Sequence, residues 1–372
     1  MSLSPIDEMM MRHALTLAER GLGHTWPNPS VGAVIWQMRG DQPVIVGRGY
    51  TQKGGRPHAE TEALRMAGDA ARGASMAVTL EPCAHHGKTP PCAEAIVKAG
   101  IARVVSALED PDPRVSGEGY RILRDAGISV TTDVLKTDAE LVNRGFLLRV
   151  REKRPFITLK LAQTADGFAG ADGKPLMISC ALSKQRVHLA RASHDAIMVG
   201  VGTVIADDPD LTCRLSGMMH LSPLRLIVDT HLDTSPTARV IETASKVPTW
   251  IITADDASVE REAALMKEGV HVIRVNKDVQ GHVDVKVAMA ALAELGLTRI
   301  FTEGGPTLAE ALVSHHLVDC IEIITSPDAL GRAGTVALRP ALKSALADPT
   351  LFKASSPRVV GRDHVQHFEK VR

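Results

Sequence analysis

The chain has 372 residues, a length that is typical of two or three domains. Apolar residues make up 44% of the sequence and charged residues 23%, which excludes an intrinsically disordered chain. Lysine plus arginine and aspartate plus glutamate both number 43, so the net charge is zero, which argues against nucleic acid or a membrane surface as a partner.

The first part of the chain predicts an alternation of helices and strands. Residues 5–21 are predicted to form an amphipathic helix, because Met10, Ala14 and Leu17 share one face and a glycine ends the pattern. Further helices are expected over 59–68, 93–100 and 120–126. Strands are expected over 31–36, 44–49, 74–80, 102–108 and 128–134, and the first two should form a hairpin.

A second alternation follows a basic segment at 144–154, which is predicted to close the first unit before a strand at 156–162. We place the domain boundary so that residues 1–148 form one domain and residues 149–372 the other. Strands of the second domain are expected at 196–200, 225–229, 249–253, 271–275, 299–303 and 319–325, and helices at 285–295 and 307–315. Strands alternating with helices predict two α/β domains with helices on the faces of each sheet.

Four residues of the first domain have the identities and order of a catalytic zinc site, namely His58, Glu60, Cys83 and Cys92. One imidazole and two thiolates would leave a tetrahedral zinc ion with one open position, which is typical of catalytic zinc. Glu60 could then carry a proton from the zinc-bound water to a leaving amine. H-x-E followed by Pro-Cys and a second cysteine is a signature of zinc nucleobase deaminases, although that signature has a C-x-x-C spacing and eight residues separate the cysteines here. Loop cysteines with a helix-capping histidine are the simpler alternative, and His85 and His86 could compete as ligands.

Two glycine-containing turns mark the second domain. Gly200 and Gly202 follow a predicted strand, but an isoleucine replaces the third glycine of the dinucleotide-binding fingerprint, so this signal is weak. At 304–307 the sequence Gly-Gly-Pro-Thr joins a strand to a helix, where Thr307 could cap the helix and the helix N-terminus could attract a phosphate. An ordinary β–α turn would have the same sequence.

Several motifs together resemble one family. The resemblance is carried by PNPSVG at 27–32, PHAE at 57–60, TLEPCAHHGKTPPC at 79–92 and DPDP at 110–113. These are similar to motifs of the bifunctional riboflavin-biosynthesis deaminase–reductases, the RibD family, in which the long loop between the cysteines is usual. The resemblance covers nearly the whole chain. It implies a cytidine-deaminase-like three-layer α/β/α domain followed by a dihydrofolate-reductase-like α/β domain.

The resemblance also implies a chemistry for each domain. The first would deaminate a diaminopyrimidinone ribosylamine phosphate, and NADPH in the second would reduce the ribosyl group of the resulting aminouracil to a ribityl chain. One Zn²⁺ per chain would be held by His58, Cys83 and Cys92, with Glu60 as the catalytic proton carrier. Contacts to the pyrimidine nucleotide would come from Asn28, His85, Lys88 and Asp110. Thr51 stands where some members carry a substrate-contacting histidine.

For the second domain, the resemblance implies a cofactor site and a substrate site. The residues that would line the NADPH site are Ala162, Thr203, Asp207, Thr230, Gly305, Pro306, Thr307 and Leu308. The residues that would hold the substrate are Arg191, Leu211, Arg214 and Glu303. The two arginines suit a ribose phosphate. The chain departs from the family where Pro175 replaces a substrate-contacting serine and Met177 replaces a tryptophan that packs on the cofactor, and a late glycine-rich segment at 330–334 is shorter.

Three other functions remain open from the sequence. A monofunctional deaminase with a degenerate second domain would explain the departures at 175 and 177. A zinc deaminase acting on nucleic-acid bases would share the first signature, but zero net charge and few aromatic residues speak against it. A zinc-stabilised module without activity would not need Glu60. The odd count of five cysteines favours a reducing cytoplasm over a disulfide scaffold, and a homo-oligomer with a small pyrimidine nucleotide as its partner is expected.

Overall fold

The computed structural model describes residues 4–86, 90–112, 116–171 and 176–372. The chain divides into two compact units, Met1–Lys153 and Arg154–Arg372, and each has its own main sheet. Strands and helices alternate in both, so the expectation of two α/β domains is confirmed. Within the described ranges, the structure contains no helix that is long and apolar enough to cross a membrane.

The first unit is built on a five-stranded sheet. Its strands are β1 (Gly32–Arg39), β2 (Gln42–Tyr50), β3 (Ser75–Val78), β4 (Arg103–Ser106) and β5 (Ser129–Thr131). Its helices are α1 (Pro5–Glu19), α2 (Ala59–Ala67), α3 (Cys92–Ala99), α4 (Glu118–Asp125) and α5 (Lys136–Glu152). The strand order is β2-β1-β3-β4-β5, in which β1 is antiparallel to both neighbours and β3, β4 and β5 are parallel. The predicted hairpin of the first two strands is confirmed.

Two glycines let helices lie directly on this sheet. A Cβ atom on Gly32 would come within 1.9 Å of the Ala14 carbonyl oxygen in α1, and one on Gly49 within 2.4 Å of the Ala59 carbonyl oxygen in α2. Because no larger residue fits at either position, α1 and α2 pack at backbone contact distance against β1 and β2. The first turn of α2, which carries Glu60, is thereby fixed on the sheet.

The second unit is built on a ten-stranded sheet. Its strands are β6 (Phe156–Gln163), β7 (Phe168–Gly170), β8 (Ala196–Gly200), β9 (Leu224–Val228), β10 (Thr249–Ala254), β11 (His271–Val275), β12 (Arg299–Thr302), β13 (Cys320–Thr325), β14 (Thr335–Val336), β15 (Phe352–Ala354), β16 (Arg358–Val360) and β17 (Asp363–Lys370), of which β7 and β14 pair apart from that sheet. Its helices are α6 (Ala181–Ala192), α7 (Val201–Asp207), α8 (Arg239–Glu242), α9 (Val259–Lys267), α10 (Val285–Glu294), α11 (Pro306–Ser314) and α12 (Pro340–Ala347).

The order of strands in this sheet creates a switch point. The order is β11-β10-β9-β8-β12-β6-β13-β17-β15, with β16 paired to β17, and the strands from β11 to β13 are parallel. The chain adds β8 to β11 outward on one side and then returns to place β12 between β8 and β6. Open α/β sheets bind ligands outside the carboxyl ends of their strands at such a point. The carboxyl ends of β6, β8 and β12 therefore mark the expected ligand site of this unit.

The structure differs from the predicted elements in several places, and helices α6, α7, α8, α9 and α12 and the short strands β7 and β14 were also not predicted. The basic segment at 144–154 is mostly the second half of α5, whose buried Ala139, Val142 and Leu147 lie between exposed charges. The extended segment at 128–134 is a strand only over β5. The antiparallel strands β15, β16 and β17 at the end of the chain were not predicted. Because β17 mixes buried apolar and polar residues, its sequence lacks the continuous apolar run of a parallel strand such as β8.

Candidate active sites

Three side chains of the first unit converge on one point. His58 immediately precedes α2, Cys92 is the first residue of α3, and Cys83 lies in the connection after β3. The His58 Nδ1 atom lies 3.3 Å from Cys92 Sγ and 3.6 Å from Cys83 Sγ. Ligands that bind tetrahedral zinc at about 2.0–2.3 Å lie at such separations from one another. The cluster therefore fits one zinc ion, and the part of the chain that the structure describes holds no second group of this kind.

The two thiols of the cluster differ in their ease of ionisation. Hydrogen bonding from the Cys92 side chain is the main cause that lowers the pKa of Cys83 to about 4, and the same interaction together with burial raises the pKa of Cys92. The Cys92 backbone N–H, at the start of α3, also donates a hydrogen bond to Cys83 Sγ at 3.3 Å. A thiolate is thus favoured at Cys83, and the thiolate is the form that binds a metal.

Glu60 lies in the first turn of α2 beside this cluster. It is only 4% exposed, and burial raises the pKa of its carboxyl group to about 7, with the negative charge of Cys83 adding to the shift. A carboxyl group whose pKa is near neutrality can both accept and donate a proton at physiological pH. The structure therefore brings together all four residues of the constellation that the sequence predicts.

Glu81, two residues before Cys83, has a role that the sequence did not reveal. Its carboxylate is buried and accepts hydrogen bonds from the backbone N–H groups of Asp110 at 3.1 Å, Gly117 at 3.0 Å and Gly119 at 2.8 Å. These bonds fix the segment that carries Asp110, and the start of α4, to the segment that carries Cys83. The only signal in the sequence is the carboxylate within the TLEPC motif.

The residues predicted to bind the nucleotide have different surroundings. Asp110 is half-buried, burial raises its pKa, and the charge of His85 is close enough to act on it. Asn28 donates a hydrogen bond from Nδ2 to the Gly55 carbonyl oxygen at 2.9 Å, which fixes its side chain. His85 is exposed. Lys88 lies outside the described residues.

In this chain, Thr51 forms hydrogen bonds with the backbone just before strand β1. Its side chain is buried, and its hydroxyl oxygen accepts a hydrogen bond from the Val31 backbone N–H at 2.9 Å. The Thr51 backbone N–H also donates to the Val31 carbonyl oxygen at 2.9 Å. The Thr51 side chain is therefore not placed to contact the substrate as the histidine of other family members would.

A cavity of about 650 Å³ opens at the switch point of the second unit. Its volume is typical of small-molecule sites. Except for Thr230, all residues predicted for the cofactor and substrate line it, namely Ala162, Arg191, Thr203, Asp207, Leu211, Arg214, Glu303, Gly305, Pro306, Thr307 and Leu308. Thr230 follows β9 and its hydroxyl accepts a hydrogen bond from the Val283 backbone N–H at 3.2 Å. The structure thus gathers residues from distant parts of the sequence around one space.

A largely buried ion pair lies on one side of this cavity. Arg191 donates a hydrogen bond from Nε to Glu303 Oε1 at 2.6 Å and another from Nη1 to the Thr212 carbonyl oxygen at 2.9 Å. Lys160 Nζ lies 4.0 Å from Glu303 Oε2. Burial opposes the ionisation of Glu303, but the charges of Arg191 and Lys160 outweigh it and lower its pKa. Glu303 is therefore an ionised carboxylate in the cavity wall.

Arg214 is more accessible than Arg191. Its side chain is 46% exposed and lies 3.3 Å from Asp210, whereas the side chain of Arg191 is 10% exposed. His188 packs beside both arginines, and its Nδ1 lies 3.1 Å from the Thr212 carbonyl oxygen. Burial and the two positive charges lower the pKa of His188, which keeps the ring neutral at physiological pH. Arg214 is thus the arginine with a charge available to a ligand.

Helix α11 begins differently from the prediction. Gly305 is its N-cap and Pro306 lies in its first turn, so the expected cap by Thr307 is wrong. At Gly304 a Cβ atom would come within 2.8 Å of Leu308 Cδ2 and 3.2 Å of Leu308 Cβ, so a side chain there would require Leu308 to move. Proline is favoured in the first turn because its missing N–H has no partner there in any case. The N-terminus of α11 opens into the cavity, where the helix dipole favours an anionic group.

The departures from the family pattern lie at the edge of the cavity. Met177 lines it, is 75% exposed, and has its Sδ atom 3.5 Å from Lys184 Nζ. Pro175 lies outside the described residues. Leu176 and Ile178 also line the cavity, so a wall is present on this side without the tryptophan.

Two family models match the chain. Residues 4–108 match the cytidine and deoxycytidylate deaminase zinc-binding region, and residues 155–363 match the RibD C-terminal domain. The riboflavin biosynthesis protein RibD of Escherichia coli (strain K12) is 40% identical over 375 residues, covering 97% of this chain and 99% of the relative. That of Bacillus amyloliquefaciens is 40% identical over 333 residues, covering 89% and 87%.

Solved structures are similar over the same length. RibD of Acinetobacter baumannii has a TM-score of 0.85 at 33% identity, covering 98% of this chain and 99% of that one. A Thermotoga maritima protein, described as a diaminohydroxyphosphoribosylaminopyrimidine deaminase/5-amino-6-(5-phosphoribosylamino)uracil reductase, has a TM-score of 0.82 at 32% identity with the same coverage. The similarity therefore extends through both units.

Proposed function

This chain belongs to the RibD family and is a deaminase–reductase of riboflavin biosynthesis, and we propose that each unit carries one of the two reactions with the residues described above. The observation that carries this assignment is the pair of chemically distinct sites. The first unit holds a three-ligand metal cluster beside a buried carboxyl group, and the second holds a cavity at its switch point. The substrate is a small molecule, a diaminopyrimidine ribosylamine phosphate of the kind for which the Thermotoga maritima relative is named.

In the first unit, one zinc ion would be held by His58 Nδ1, Cys83 Sγ and Cys92 Sγ, whose separations suit tetrahedral coordination. When bound, it would act as a Lewis acid that acidifies a water molecule at its open position. Hydrogen bonds to the Cys83 sulfur from the Cys92 side chain and from the Cys92 backbone N–H, the latter at 3.3 Å, lower the pKa of this thiol and favour the thiolate, which is the form that binds a metal.

Glu60 moves the proton of the deamination. Its carboxylate accepts a proton as water adds to the ring carbon that bears the exocyclic amino group. The same carboxyl group then donates this proton to the amino nitrogen, the carbon–nitrogen bond breaks, and ammonia leaves. A pKa of about 7 suits both steps, because the group must be a base first and an acid second.

The pyrimidine nucleotide is assigned to Asn28, His85, Lys88 and Asp110. Two observations support this assignment for the described members of the set. Asp110 is held by Glu81 next to the metal-ligand segment, where its carboxylate can accept hydrogen bonds from ring N–H or amino groups. The Asn28 side chain is held by its hydrogen bond to the carbonyl oxygen of Gly55, and Gly55 lies three residues before His58 in the sequence.

In the second unit, the nicotinamide cofactor is NADPH, which supplies the hydride when bound. Its site comprises Ala162, Thr203, Asp207, Thr230, Gly305, Pro306, Thr307 and Leu308. The N-terminus of α11 would bind a cofactor phosphate, because its backbone N–H groups and dipole favour an anion. Gly304 is consistent with this role, since glycine lets the turn pack against Leu308 without displacing the leucine side chain.

Arg191, Leu211, Arg214 and Glu303 hold the ribosyl substrate. Arg214 binds the phosphate, because its guanidinium is exposed enough to reach a ligand and geometrically suited to phosphate oxygens. Arg191 instead orients Glu303, whose ionised carboxylate accepts hydrogen bonds from ribose hydroxyls. The ribose is thereby held at the switch point beside the cofactor.

The proposal includes a cellular compartment and an oligomeric state for the enzyme. A reducing cytoplasm suits a site that needs two reduced thiols, and all five cysteines are free thiols. A homo-oligomer is also part of the proposal. Light scattering on the full chain tests this point: a mass above that of one chain is expected, and the mass of one chain would contradict it.

Separate assays of the two half-reactions test the assignment. The zinc-loaded chain should release ammonia from the diaminopyrimidine nucleotide without NADPH, and it should oxidise NADPH when the aminouracil nucleotide is supplied. Oxidation of NADH with a higher kcat/KM than NADPH would contradict the cofactor assignment. Ammonia release without any NADPH oxidation on supplied aminouracil would favour a deaminase whose second unit is inactive.

A further inference from the structure

The turn after β6 holds a carboxylate that the proposed function leaves without a role. Asp166 Oδ1 accepts hydrogen bonds from the Thr164 hydroxyl at 2.5 Å and from the Leu330 backbone N–H at 2.9 Å. Asp166 Oδ2 accepts one from the Gly331 backbone N–H at 3.0 Å. One side chain thus joins two segments that are more than 160 residues apart in the sequence.

These segments lead into a small pair of strands, β7 (Phe168–Gly170) and β14 (Thr335–Val336), which we call the ribbon. The ribbon pairs apart from the main sheet of the second unit. Further hydrogen bonds join its ends: Ala165 N–H donates to the Asp328 carbonyl oxygen at 2.9 Å, and Ala337 N–H donates to the Gly167 carbonyl oxygen at 3.0 Å. A two-stranded ribbon is only marginally stable by itself, so its position depends on these hydrogen bonds at its ends.

The ribbon forms part of the wall of the reductase cavity. Ala169 and Gly170 of β7 and Thr335 of β14 line that cavity. The same wall continues into β6, where Ala162 is assigned to the cofactor. A displacement of the ribbon would therefore change the shape of the space in which the cofactor must lie.

Asp166 is suited to this fastening by its ionisation. The hydrogen bond from Thr164, followed by that from the Leu330 N–H, lowers the pKa of Asp166 to about 2. Its carboxylate is therefore charged at all physiological pH values. Hydrogen bonds to a charged acceptor are stronger than those between neutral groups.

We infer that Asp166 is a positioning residue of the reductase site, which fastens the segment 330–331 to the turn after β6 and so holds the ribbon against the cofactor side of the cavity. The inference rests on the proposed NADPH-dependent function of the second unit. Asp166 itself does not line the cavity, so its effect on the cofactor passes through Ala169, Gly170 and Thr335.

Asp166→Asn is the variant that tests the inference. An amide has the shape of the carboxylate, but its NH2 group would face a backbone N–H of the segment 330–331, and one of the two backbone hydrogen bonds would be lost. Asp328→Asn is the matched control. The Asp328 side chain pairs with Arg362 at 2.7 Å on the surface, and its backbone carbonyl, which accepts from Ala165, is unchanged by the substitution.

The experiment uses the full zinc-loaded chain. Four properties of each variant are measured: the dissociation constant for NADPH, the steady-state kinetics of the reductase (KM and kcat), the rate of ammonia release, and hydrogen exchange at the Leu330 and Gly331 amides. For Asp166→Asn we expect faster exchange at these amides and an increase of about 5- to 10-fold in the NADPH dissociation constant and KM. The kcat at saturating NADPH and the rate of ammonia release should stay within about twofold of the unsubstituted chain. Asp328→Asn should match the unsubstituted chain in all four.

Three results would overturn the inference. Faster exchange at 330–331 with unchanged NADPH binding would show that the ribbon does not shape the cofactor site. A fall in kcat with unchanged KM, or loss of the cooperative thermal transition of the second unit in both Asp166→Asn and Asp166→Ala, would assign Asp166 a general structural role. Failure of the unsubstituted chain to bind NADPH would instead contradict the proposed function, and hydrogen exchange would still decide whether Asp166 fastens the ribbon.

Discussion

Glu60→Gln removes the proposed proton carrier while preserving the size and shape of the side chain. Since Glu60 is 4% exposed and burial raises its pKa to about 7, a neutral amide fits this site, and the zinc cluster should form as before. A positioned acid or base contributes about 10²- to 10⁴-fold to a rate, and Glu60 serves both proton transfers. We therefore expect deamination to fall by at least about 10³-fold, equivalent to about 4 kcal/mol in the activation barrier.

The assay is ammonia release at saturating nucleotide, with zinc content determined on the same sample. Glu62→Gln is the matched control, because Glu62 lies on the same helix and pairs with Arg65 at 2.9 Å on the surface. Its deamination rate should equal that of the unsubstituted chain. NADPH oxidation with supplied aminouracil nucleotide should be unchanged in both variants, because the second unit performs it.

Undiminished ammonia release by Glu60→Gln at full zinc occupancy would refute the assignment of the proton carrier. Loss of zinc from this variant would refute a different step of the reasoning, since it would show that the carboxylate maintains the metal site. An equal loss of activity in Glu62→Gln would show that α2 as a whole is sensitive to the loss of charge.

Three further variants test other parts of the account. Cys83→Ser should lose zinc and deamination while NADPH oxidation continues, and retention of zinc in metal analysis would contradict the ligand assignment. Glu81→Gln places an amide NH2 group against backbone N–H donors, so urea titration should show that the free energy of unfolding of the first unit falls by about 1–3 kcal/mol. An unchanged free energy of unfolding would show that the Glu81 carboxylate does not stabilise this unit. Arg191→Gln leaves Lys160 as the one remaining charged partner described for Glu303, so the reductase kcat/KM should fall at least about tenfold while deamination is unchanged. An undiminished reductase kcat/KM would show that the Arg191–Glu303 ion pair is not needed for catalysis.

The convergence of His58, Cys83 and Cys92 could be predicted because the chemistry of a metal site depends on side-chain identity. Imidazole, thiolate and carboxylate are rare enough in this order that they indicate a metal and a proton carrier whatever the intervening loop does. The parallel strands were predictable for a similar reason, since β8 is buried along most of its length and has an uninterrupted apolar sequence.

The distant backbone partners of Glu81 and Asp166 could not be predicted, because every residue except proline has a backbone N–H group. Only the folded chain shows which N–H groups face a given carboxylate. Arg191 and Glu303 are 112 residues apart, so their pairing also depends on the strand order and not on spacing. The end of the chain was missed for another reason: exposed and half-buried polar residues separate the buried apolar residues of β17 and dilute the apolar signal.

We claim that one chain performs both reactions in sequence. The most direct measurement is a single reaction of the zinc-loaded chain with the diaminopyrimidine nucleotide and NADPH, in which ammonia and oxidised cofactor are quantified together. We expect ammonia and oxidised cofactor to form at equal rates once the intermediate has reached a steady level. Ammonia without oxidised cofactor, even when aminouracil nucleotide is added, would contradict the claim.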